Sequence, residues 1–266
     1  MSAQESGPNQ YQAVDVTNPD GQGGFVFVCE HASRFIPEEY QDLGLDGDQV
    51  ISHIAWDPGA LAVAKKLSAA FDSPLVAGCL SRLLYDCNRP PHAFDAIPMV
   101  SEIHTIPGNQ NLSFEDKRNR IDHIYIPFQD RLKSVIKQAL ANHPDLLIVT
   151  VHSFVPVYKG QKRAVEVGFL HDEDSRFVDA ILDADEGGQF VVARNEPYGP
   201  EDGVTHTLRY HALPNGIPNV MIEIRNDLIQ TDQQIDEMSD YLRALITKAV
   251  SSADLGAATK STGANQ

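Results

Sequence analysis

The 266-residue sequence contains little cysteine and no long apolar segment. Its three cysteines are Cys29, Cys79 and Cys87, and no two of them have CxxC spacing. An odd number without such a pair argues against a disulfide framework and against a cysteine-rich zinc site. We therefore expect reduced thiols that are mostly buried. No apolar run approaches the roughly 18 residues that a membrane-spanning helix needs.

Basic residues are also scarce. Lysine and arginine number 21 against 37 aspartates and glutamates, so the formal net charge is −16. Such a surface repels phosphate backbones and anionic lipids, and we expect neither nucleic acid nor membrane as a partner. The first residues have neither the basic start nor the apolar segment of a secretory signal, which predicts a cytoplasmic protein.

Three regions are expected along the chain. Residues 1–24 and 251–266 are polar and are predicted to be flexible. Residues 25–250 are predicted to form one domain, because strand-like apolar runs alternate with segments of helical periodicity. The last helical segment follows Thr231 in TDQQ, the sequence form of a capping box.

This alternation predicts an α/β fold with a mostly parallel mixed sheet and helices on both faces, since the strands are apolar along their whole length. Ligands of such folds bind outside the carboxyl ends of the strands. Three predicted strands run into groups of catalytic type: FVFV into Glu30 and His31, LLIVTV into His152, and VMI into Glu223. We expect the active site at this edge.

The two histidines suit a zinc ion, because a catalytic zinc takes about three protein ligands and keeps one position open. Glu30 adjoins His31, but successive side chains of a strand point to opposite faces. Asp57, in the loop-like segment HIAWDPGA, is the preferred third ligand, and Glu30 is the alternative. Without a metal, Asp57 would instead cap the following helix.

Two further segments carry charged groups in unusual places. Glu223 lies in an apolar strand, where it is predicted either to pair with Arg225 or to act as a general base on metal-activated water. Arg82, Asn88 and Arg89, in SRLLYDCNRPP, are candidates to clamp an anionic substrate, since guanidinium matches carboxylate bidentately. Structural pairing with the many acids is the alternative for the arginines.

Taken in order, EHAS, HIAWDPGA, SRLLYDCNRPP, IPGNQNLSFEDKRNRI, TVHSF and VMIEIRNDLI resemble the N-formylglutamate amidohydrolase family. The similarity runs from about Phe25 to Val250. The segments DCNR, VHS and EIR are similar, more distantly, to motifs of zinc carboxypeptidases and aspartoacylase-type deacylases. Those proteins place a glutamate ligand three residues after the first histidine. That position is Arg34 here, so the acidic ligand must come from Asp57 or Glu30.

The resemblance implies a zinc-carboxypeptidase-like hydrolase fold and metal-dependent cleavage of the amide C–N bond of a small anionic N-acyl amino acid. N-formylglutamate is the expected substrate, and histidine degradation the expected context. The ion is expected to be Zn²⁺, or another divalent metal, on His31, Asp57 and His152. Glu223 and Arg82 would then be catalytic.

Further positions complete the predicted site. Substrate contacts are expected from Asn88, Arg89, Arg225 and Tyr158. His206, His211 and residues 92–112 are weaker candidates to line or cover the pocket. Two other functions remain open: a carboxypeptidase-type metallopeptidase, and a non-catalytic protein that binds acidic ligands.

Overall fold

A computed structural model describes residues 11–253 and residue 255. Within them the chain forms eleven strands and six α-helices, joined by turns of 3-10 and π helix. The strands are β1 (Val14–Thr17), β2 (Phe25–Cys29), β3 (Leu75–Gly78), β4 (Val100–Ser101), β5 (His104–Thr105), β6 (Leu147–Phe154), β7 (Val157–Tyr158), β8 (Gln161–Lys162), β9 (Val167–Leu170), β10 (Val192–Arg194) and β11 (Asn219–Arg225). The helices are α1 (Gly47–Ile51), α2 (Ala60–Ala70), α3 (Phe114–Arg120), α4 (Ile126–Asn142), α5 (Arg176–Ala184) and α6 (Asp232–Ser252).

Seven of these strands form one sheet, in the order β1-β3-β2-β6-β11-β9-β10. The pairs β3–β2, β2–β6, β6–β11 and β9–β10 are parallel, whereas β1–β3 and β11–β9 are antiparallel. The predicted mostly parallel mixed sheet is therefore confirmed. Because β2, β6 and β11 are parallel neighbours, their carboxyl ends lie at the same edge.

Helices cover both faces of this sheet. Val26 and Val28 pack into the core under α4, and Phe25 and Phe27 pack into the opposite core with α2, α5 and α6. Alternate side chains of a strand point to opposite faces, so a strand buried on both sides must be apolar throughout. That requirement explains the continuous apolar runs in the sequence.

The predicted helices are also found. The segment from Arg118 to Leu140 is helical, with a π turn at Ile121–Tyr125 between α3 and α4. At α6 the Thr231 hydroxyl accepts from the Gln234 backbone N–H, and the Gln234 side chain accepts from the Thr231 N–H. The capping box read from TDQQ is therefore confirmed.

The predicted flexible ends need one correction. Residues 14–17, which lie inside the segment expected to be flexible, form β1 on the edge of the sheet, and Ala13 is buried. The backbone groups on the outer edge of β3 need partners, and β1 supplies them. Residues 251 and 252 continue α6. Of the predicted tails, residues 1–10, 254 and 256–266 lie outside the described residues.

The structure also bears on the state of the cysteines and on membrane crossing. All three cysteines are free, with Cys29 and Cys87 buried. No helix within the described residues combines the length and the apolar character that crossing a membrane requires.

Gly78, at the end of β3, lies against the backbone that leads into the site. A Cβ at this position would lie 2.2 Å from the carbonyl oxygen of Glu30. We therefore expect Gly78→Ala to lower the free energy of unfolding by about 1–3 kcal/mol, the usual cost of overpacking. Chemical denaturation measures this difference.

Gly24→Ala is the matched control for Gly78→Ala. An added Cβ at Gly24 meets no heavy atom within 4 Å. Equal stability of the two variants would contradict the close approach of β3 to Glu30.

Candidate active site

The site forms where the central parallel strands end. His31 follows β2 by two residues, and His152 lies in the last three residues of β6. Glu223 of β11 is paired in register with His152. All three side chains are buried. His31, His152 and Glu223, which are far apart in the sequence, therefore lie at the same edge of the sheet.

Asp57 reaches this edge from the loop before α2. Its backbone N–H donates to the carbonyl oxygen of His31 at 2.9 Å, which fixes the loop against the end of β2. Helix α2 begins at Ala60 with Gly59 as its N-cap, and no side chain caps it. The alternative role of Asp57 as a helix cap is therefore wrong. Its carboxylate is 2% exposed and points to the histidines.

Three potential ligand atoms converge on one point. His31 Nδ1 lies 3.2 Å from Asp57 Oδ2 and 3.2 Å from His152 Nδ1, and His152 Nδ1 lies 2.9 Å from Asp57 Oδ2. A tetrahedral zinc ion with bonds of about 2.0–2.1 Å separates its ligand atoms by about 3.3 Å. The residues present therefore fit a divalent cation, both in donor chemistry and in spacing.

A carboxylate lies behind each imidazole. His31 Nε2 lies 2.7 Å from Asp86 Oδ1, and His152 Nε2 lies 3.0 Å from Glu30 Oε2. Metal-binding histidines commonly turn their second nitrogen to a carboxylate, which fixes the tautomer and the orientation of the ring. Glu30, the alternative ligand in the sequence analysis, thus contacts the far nitrogen of His152, which leaves Asp57 as the acidic member of the converging set.

The buried charged groups of the site shift one another's pKa values. Burial alone would raise the pKa of Asp57, but His31, His152 and Arg82 outweigh it and hold this pKa well below its usual range. Burial would lower the pKa of His152, and the adjacent Glu30 and Asp57 instead raise it well above normal. The imidazoles and the carboxylates therefore stabilise each other's charged forms.

Several buried polar atoms of the site have no hydrogen-bond partner among the described residues: Glu30 Oε1 and Oε2, His152 Nε2 and Glu223 Oε2. The contact between His152 and Glu30 is thus an ion-pair contact without hydrogen-bond alignment. Unsatisfied buried groups are costly, and they are found where a ligand, ion or water completes the site. Together with the converging ligand atoms, these unpartnered atoms indicate a site that a bound ion or ligand would complete.

Glu223 has the protonation behaviour of a general base. Burial raises its pKa to about 7, with His152 and Asp57 acting in opposite directions. The predicted pairing with Arg225 is wrong. The Arg225 guanidinium instead lies 3.1 Å from Glu166 and 2.8 Å from Asp227. Glu223 is thus left without a guanidinium from its own strand.

Arg82 contacts the converging groups directly. Its Nη1 donates to Asp57 Oδ1 at 2.9 Å and lies 3.3 Å from His31 Nδ1. Nη1 is the only guanidinium nitrogen of Arg82 that bonds to a described residue. Arg82 therefore balances part of the negative charge and leaves donors for a ligand in the cavity.

A cavity of about 280 Å³ opens at this edge of the sheet. Eight of the nine sequence-predicted site residues line it: His31, Asp57, Arg82, Asn88, Arg89, His152, Tyr158 and Glu223. Arg225 is the exception, because its guanidinium is held by Glu166 and Asp227 away from the cavity.

The structure distinguishes Asn88 from Arg89. The Asn88 amide group donates to the Val204 carbonyl and accepts from the Thr207 N–H, so both of its polar atoms hold the backbone of residues 204–207. Arg89 donates through Nε to Asp95 at 2.8 Å and through Nη1 to the Asn88 carbonyl at 3.0 Å. Arg89 thus keeps Nη2 for a ligand, whereas Asn88 shapes the wall.

Part of the segment 92–112 lines the cavity. Strands β4 and β5 make a hairpin whose Ser101 and Glu102 line the cavity. Glu102 also lies 2.9 Å from His53 Nε2. His206 and His211 lie outside the cavity wall: His206 bonds to Tyr125, and His211 is buried against Gln129.

Sequence reasoning missed three contributors to the site. The role of Asp86 behind His31 had only its place in DCNR as a signal. Tyr198 and His53 lie on loops without periodicity, and only the folded chain brings them to the cavity. No local pattern identifies them.

Comparisons with known proteins agree with this geometry. Residues 23–230 match the family model of N-formylglutamate amidohydrolase. The chain is 52% identical to gene product Atu2144 from Agrobacterium tumefaciens, whose crystal structure superposes with a TM-score of 0.89 over 91% of this chain and 96% of that one. An N-formylglutamate amidohydrolase from Ralstonia eutropha is 15% identical, with a TM-score of 0.58 over 90% and 96% of the two chains, and shares the fold. No curated protein matches.

Metal binding can be tested directly on the converging residues. We expect wild-type protein dialysed against Zn²⁺ to retain about one ion per chain, and His31→Ala and His152→Ala to lose it, because each removes one of three ligand atoms. Metal analysis after dialysis gives the stoichiometry. His123→Ala, which changes a half-buried histidine outside the cluster, is the control. A wild type without metal would support the non-catalytic binding protein.

The raised pKa of Glu223 predicts a pH-dependent cost to stability. Ionising this carboxyl is harder in the folded chain, so the cost is absent below about pH 4.5, grows toward pH 7 and is constant above. In metal-free protein at pH 8, we expect Glu223→Gln to be more stable than wild type by roughly 1–3 kcal/mol. Urea denaturation in EDTA should show the gain shrinking as the pH falls toward about 5.

The exposed Glu173 supplies the control for this measurement, because Glu173→Gln removes a carboxylate that is already solvated. A stability difference between Glu223→Gln and wild type that does not change with pH would contradict the raised pKa.

Proposed function

Since the chain belongs to the N-formylglutamate amidohydrolase family, whose members hydrolyse amide C–N bonds, we propose that it cleaves an N-acylated amino acid, N-formyl-L-glutamate or a close relative. Water adds to the acyl carbon, the C–N bond breaks, and a carboxylic acid and a free amino acid are released. The observation that carries this proposal is the convergence of His31, Asp57 and His152 beside the buried Glu223.

A divalent cation, Zn²⁺ in the first instance, would be held by these three residues and would supply a Lewis acid that polarises the acyl carbonyl and acidifies water. Asp86 and Glu30 hold the two imidazoles with their Nδ1 atoms turned to the same point. The ligand geometry is thereby set before any substrate enters.

Glu223 moves the proton. With a pKa near 7, its carboxylate accepts a proton from the attacking water at neutral pH and can release it to the leaving amine nitrogen. Its Oε2 has no bonding partner among the described residues, so this oxygen is available to water or substrate. A carboxylate with an ordinary pKa would accept the proton from water less readily.

Positive groups in the cavity wall hold the anionic substrate. Arg82 lies against the ligand set and is suited to the oxygen on which negative charge develops. Arg89 and Tyr158 lie farther along the wall and are suited to the carboxylates of the amino acid. A cavity of about 280 Å³ is near the lower end for small-molecule sites, in keeping with a compact substrate.

The proposed location is the cytoplasm. Three free thiols, two of them buried, suit a reducing compartment.

One observation favours a second function, a carboxypeptidase-type metallopeptidase. Arg89 and Asp202 belong both to the cavity and to an adjoining surface groove of about 980 Å³. The groove carries Phe94, which is 92% exposed, and Tyr210. A longer substrate could extend from the cavity into this groove, which a closed pocket would prevent.

The amidohydrolase proposal is tested by the rate of formate release from N-formyl-L-glutamate. We expect turnover by the metal-loaded wild type and a loss of about 10²–10⁴-fold in kcat for Glu223→Gln, because the proton acceptor is removed. The metal content of the variant should match that of the wild type loaded in the same way, and its melting temperature should be no lower.

The control for the activity assay is Glu102→Gln, which removes a cavity-wall carboxylate that touches none of the three converging residues. It should retain kcat within a few-fold of wild type. A folded, metal-loaded Glu223→Gln with the wild-type rate would refute the mechanism. Release of a C-terminal residue from peptides, with no turnover of N-acyl amino acids, would establish the second function instead.

A further inference from the structure

Tyr198 lies on the cavity wall and has no role in the mechanism so far. It follows β10 in the loop that packs against β9. A Cβ on Gly168 of β9 would lie 1.9 Å from the Glu196 carbonyl oxygen, so the loop and the strand are in direct backbone contact. Gly168 is paired in register with Glu223. The loop that carries Tyr198 is thus held beside the proposed proton acceptor.

The hydrogen bonding of Tyr198 determines where its proton points. Arg163 Nη1 donates to Tyr198 Oη at 2.9 Å. A guanidinium can only donate, so the phenolic oxygen is the acceptor in this bond. Among the described residues the Tyr198 hydroxyl has no second partner. Its own O–H therefore remains to be donated, and the cavity is where a further acceptor can enter.

Arg163 is held too firmly for this bond to be incidental. Its guanidinium carbon lies 4.7 Å from the ring centroids of Tyr158 and Tyr198 and 5.3 Å from that of Phe154. Its backbone N–H donates to the Pro156 carbonyl at 2.9 Å. The guanidinium is thus enclosed by three aromatic rings, all of which line the cavity.

Charged groups at the reacting end of the cavity shift the pKa of Tyr198. Burial is the main cause that raises the pKa of Tyr198, and Glu223 raises it further, while Arg163 and Arg82 oppose this. Glu223 and Arg82 are the two groups assigned to the chemistry. The phenol therefore stays protonated at neutral pH and lies within their electrostatic reach.

We infer that Tyr198 is a further catalytic residue, which donates a hydrogen bond to the substrate oxygen that becomes negative in the transition state, and that Arg163 is its positioning residue. This inference rests on the proposed hydrolysis. The donor is oriented before the substrate binds, because the Arg163 bond occupies the acceptor side of the hydroxyl. A preorientated donor of this kind stabilises developing charge without reorganisation.

The test compares Tyr198→Phe with wild type under steady-state conditions. Removing one donor to a developing oxyanion costs about 10²–10³ in kcat. We expect a loss in kcat of at least about tenfold, with KM changed less than about threefold, because the donor acts in the transition state. Tyr241→Phe, which changes a tyrosine of α6 outside both the cavity and the groove, should leave both constants unchanged. A Tyr198→Phe enzyme with wild-type kcat, or with a change in KM alone, would overturn the inference.

Arg163 is tested through its coupling to Tyr198. Arg163→Met should lower kcat in the wild-type background and have no further effect in the Tyr198→Phe background, whereas Arg163→Lys should restore part of the rate. Equal effects of Arg163→Met in both backgrounds would show a general structural role and would refute the positioning one.

The assays use whichever of N-formyl-L-glutamate and peptides the wild type hydrolyses. Failure of the substrate assignment therefore appears in the wild type, and failure of the Tyr198 inference appears only in its variants.

Discussion

The structure depends on the cost of burying several charged groups at one edge of a sheet. Glu30, Asp57, Asp86 and Glu223 are all less than 9% exposed, and the histidines between them are buried as well. An isolated buried carboxylate would be expelled or protonated. Asp57 stays ionised only because two imidazoles and Arg82 surround it. The same positive groups act on Glu223, but burial and the charge of Asp57 outweigh them there and raise its pKa to about 7. One arrangement of charges thus gives the proposed metal ligand and the proposed base different protonation behaviour.

The fold makes this concentration of charge possible. Parallel strands β2, β6 and β11 are adjacent, so three side chains that are far apart in sequence meet without any long loop. The remaining acids come from loops held by main-chain bonds: Asp57 donates its N–H to the His31 carbonyl, and Asp86 to the Ala96 carbonyl. The hydrophobic cores on both faces of the sheet hold the strands that carry these side chains in place. The sheet and its loops therefore orient the side chains of the site before any ligand binds.

Sequence alone predicted the parts of this arrangement that follow from local pattern. Apolar runs ending in Glu30-His31, His152 and Glu223 predicted the strands and the edge at which their ends meet. Strand alternation turns Glu30 away from His31 and therefore favours Asp57 as the third converging residue. In the structure Glu30 contacts the far nitrogen of His152. Strand β1 was missed because a four-residue edge strand with polar neighbours has no distinctive period. Tyr198 and Arg163 were missed because long-range packing of loops brings them together.

Arg225 shows why residue type and spacing are insufficient to assign a role. Glu223 and Arg225 are two residues apart on β11 and therefore share a strand face. The sequence predicted both as site residues. The strand passes the cavity at Glu223 and reaches the outer loops at Arg225, where the guanidinium contacts Glu166, Asp227 and the Arg163 carbonyl. Arg163 in turn holds Tyr198. The same strand therefore carries the proposed proton acceptor and, through Arg225 and Arg163, contacts the residue that holds Tyr198, which ties the position of Tyr198 to that of Glu223.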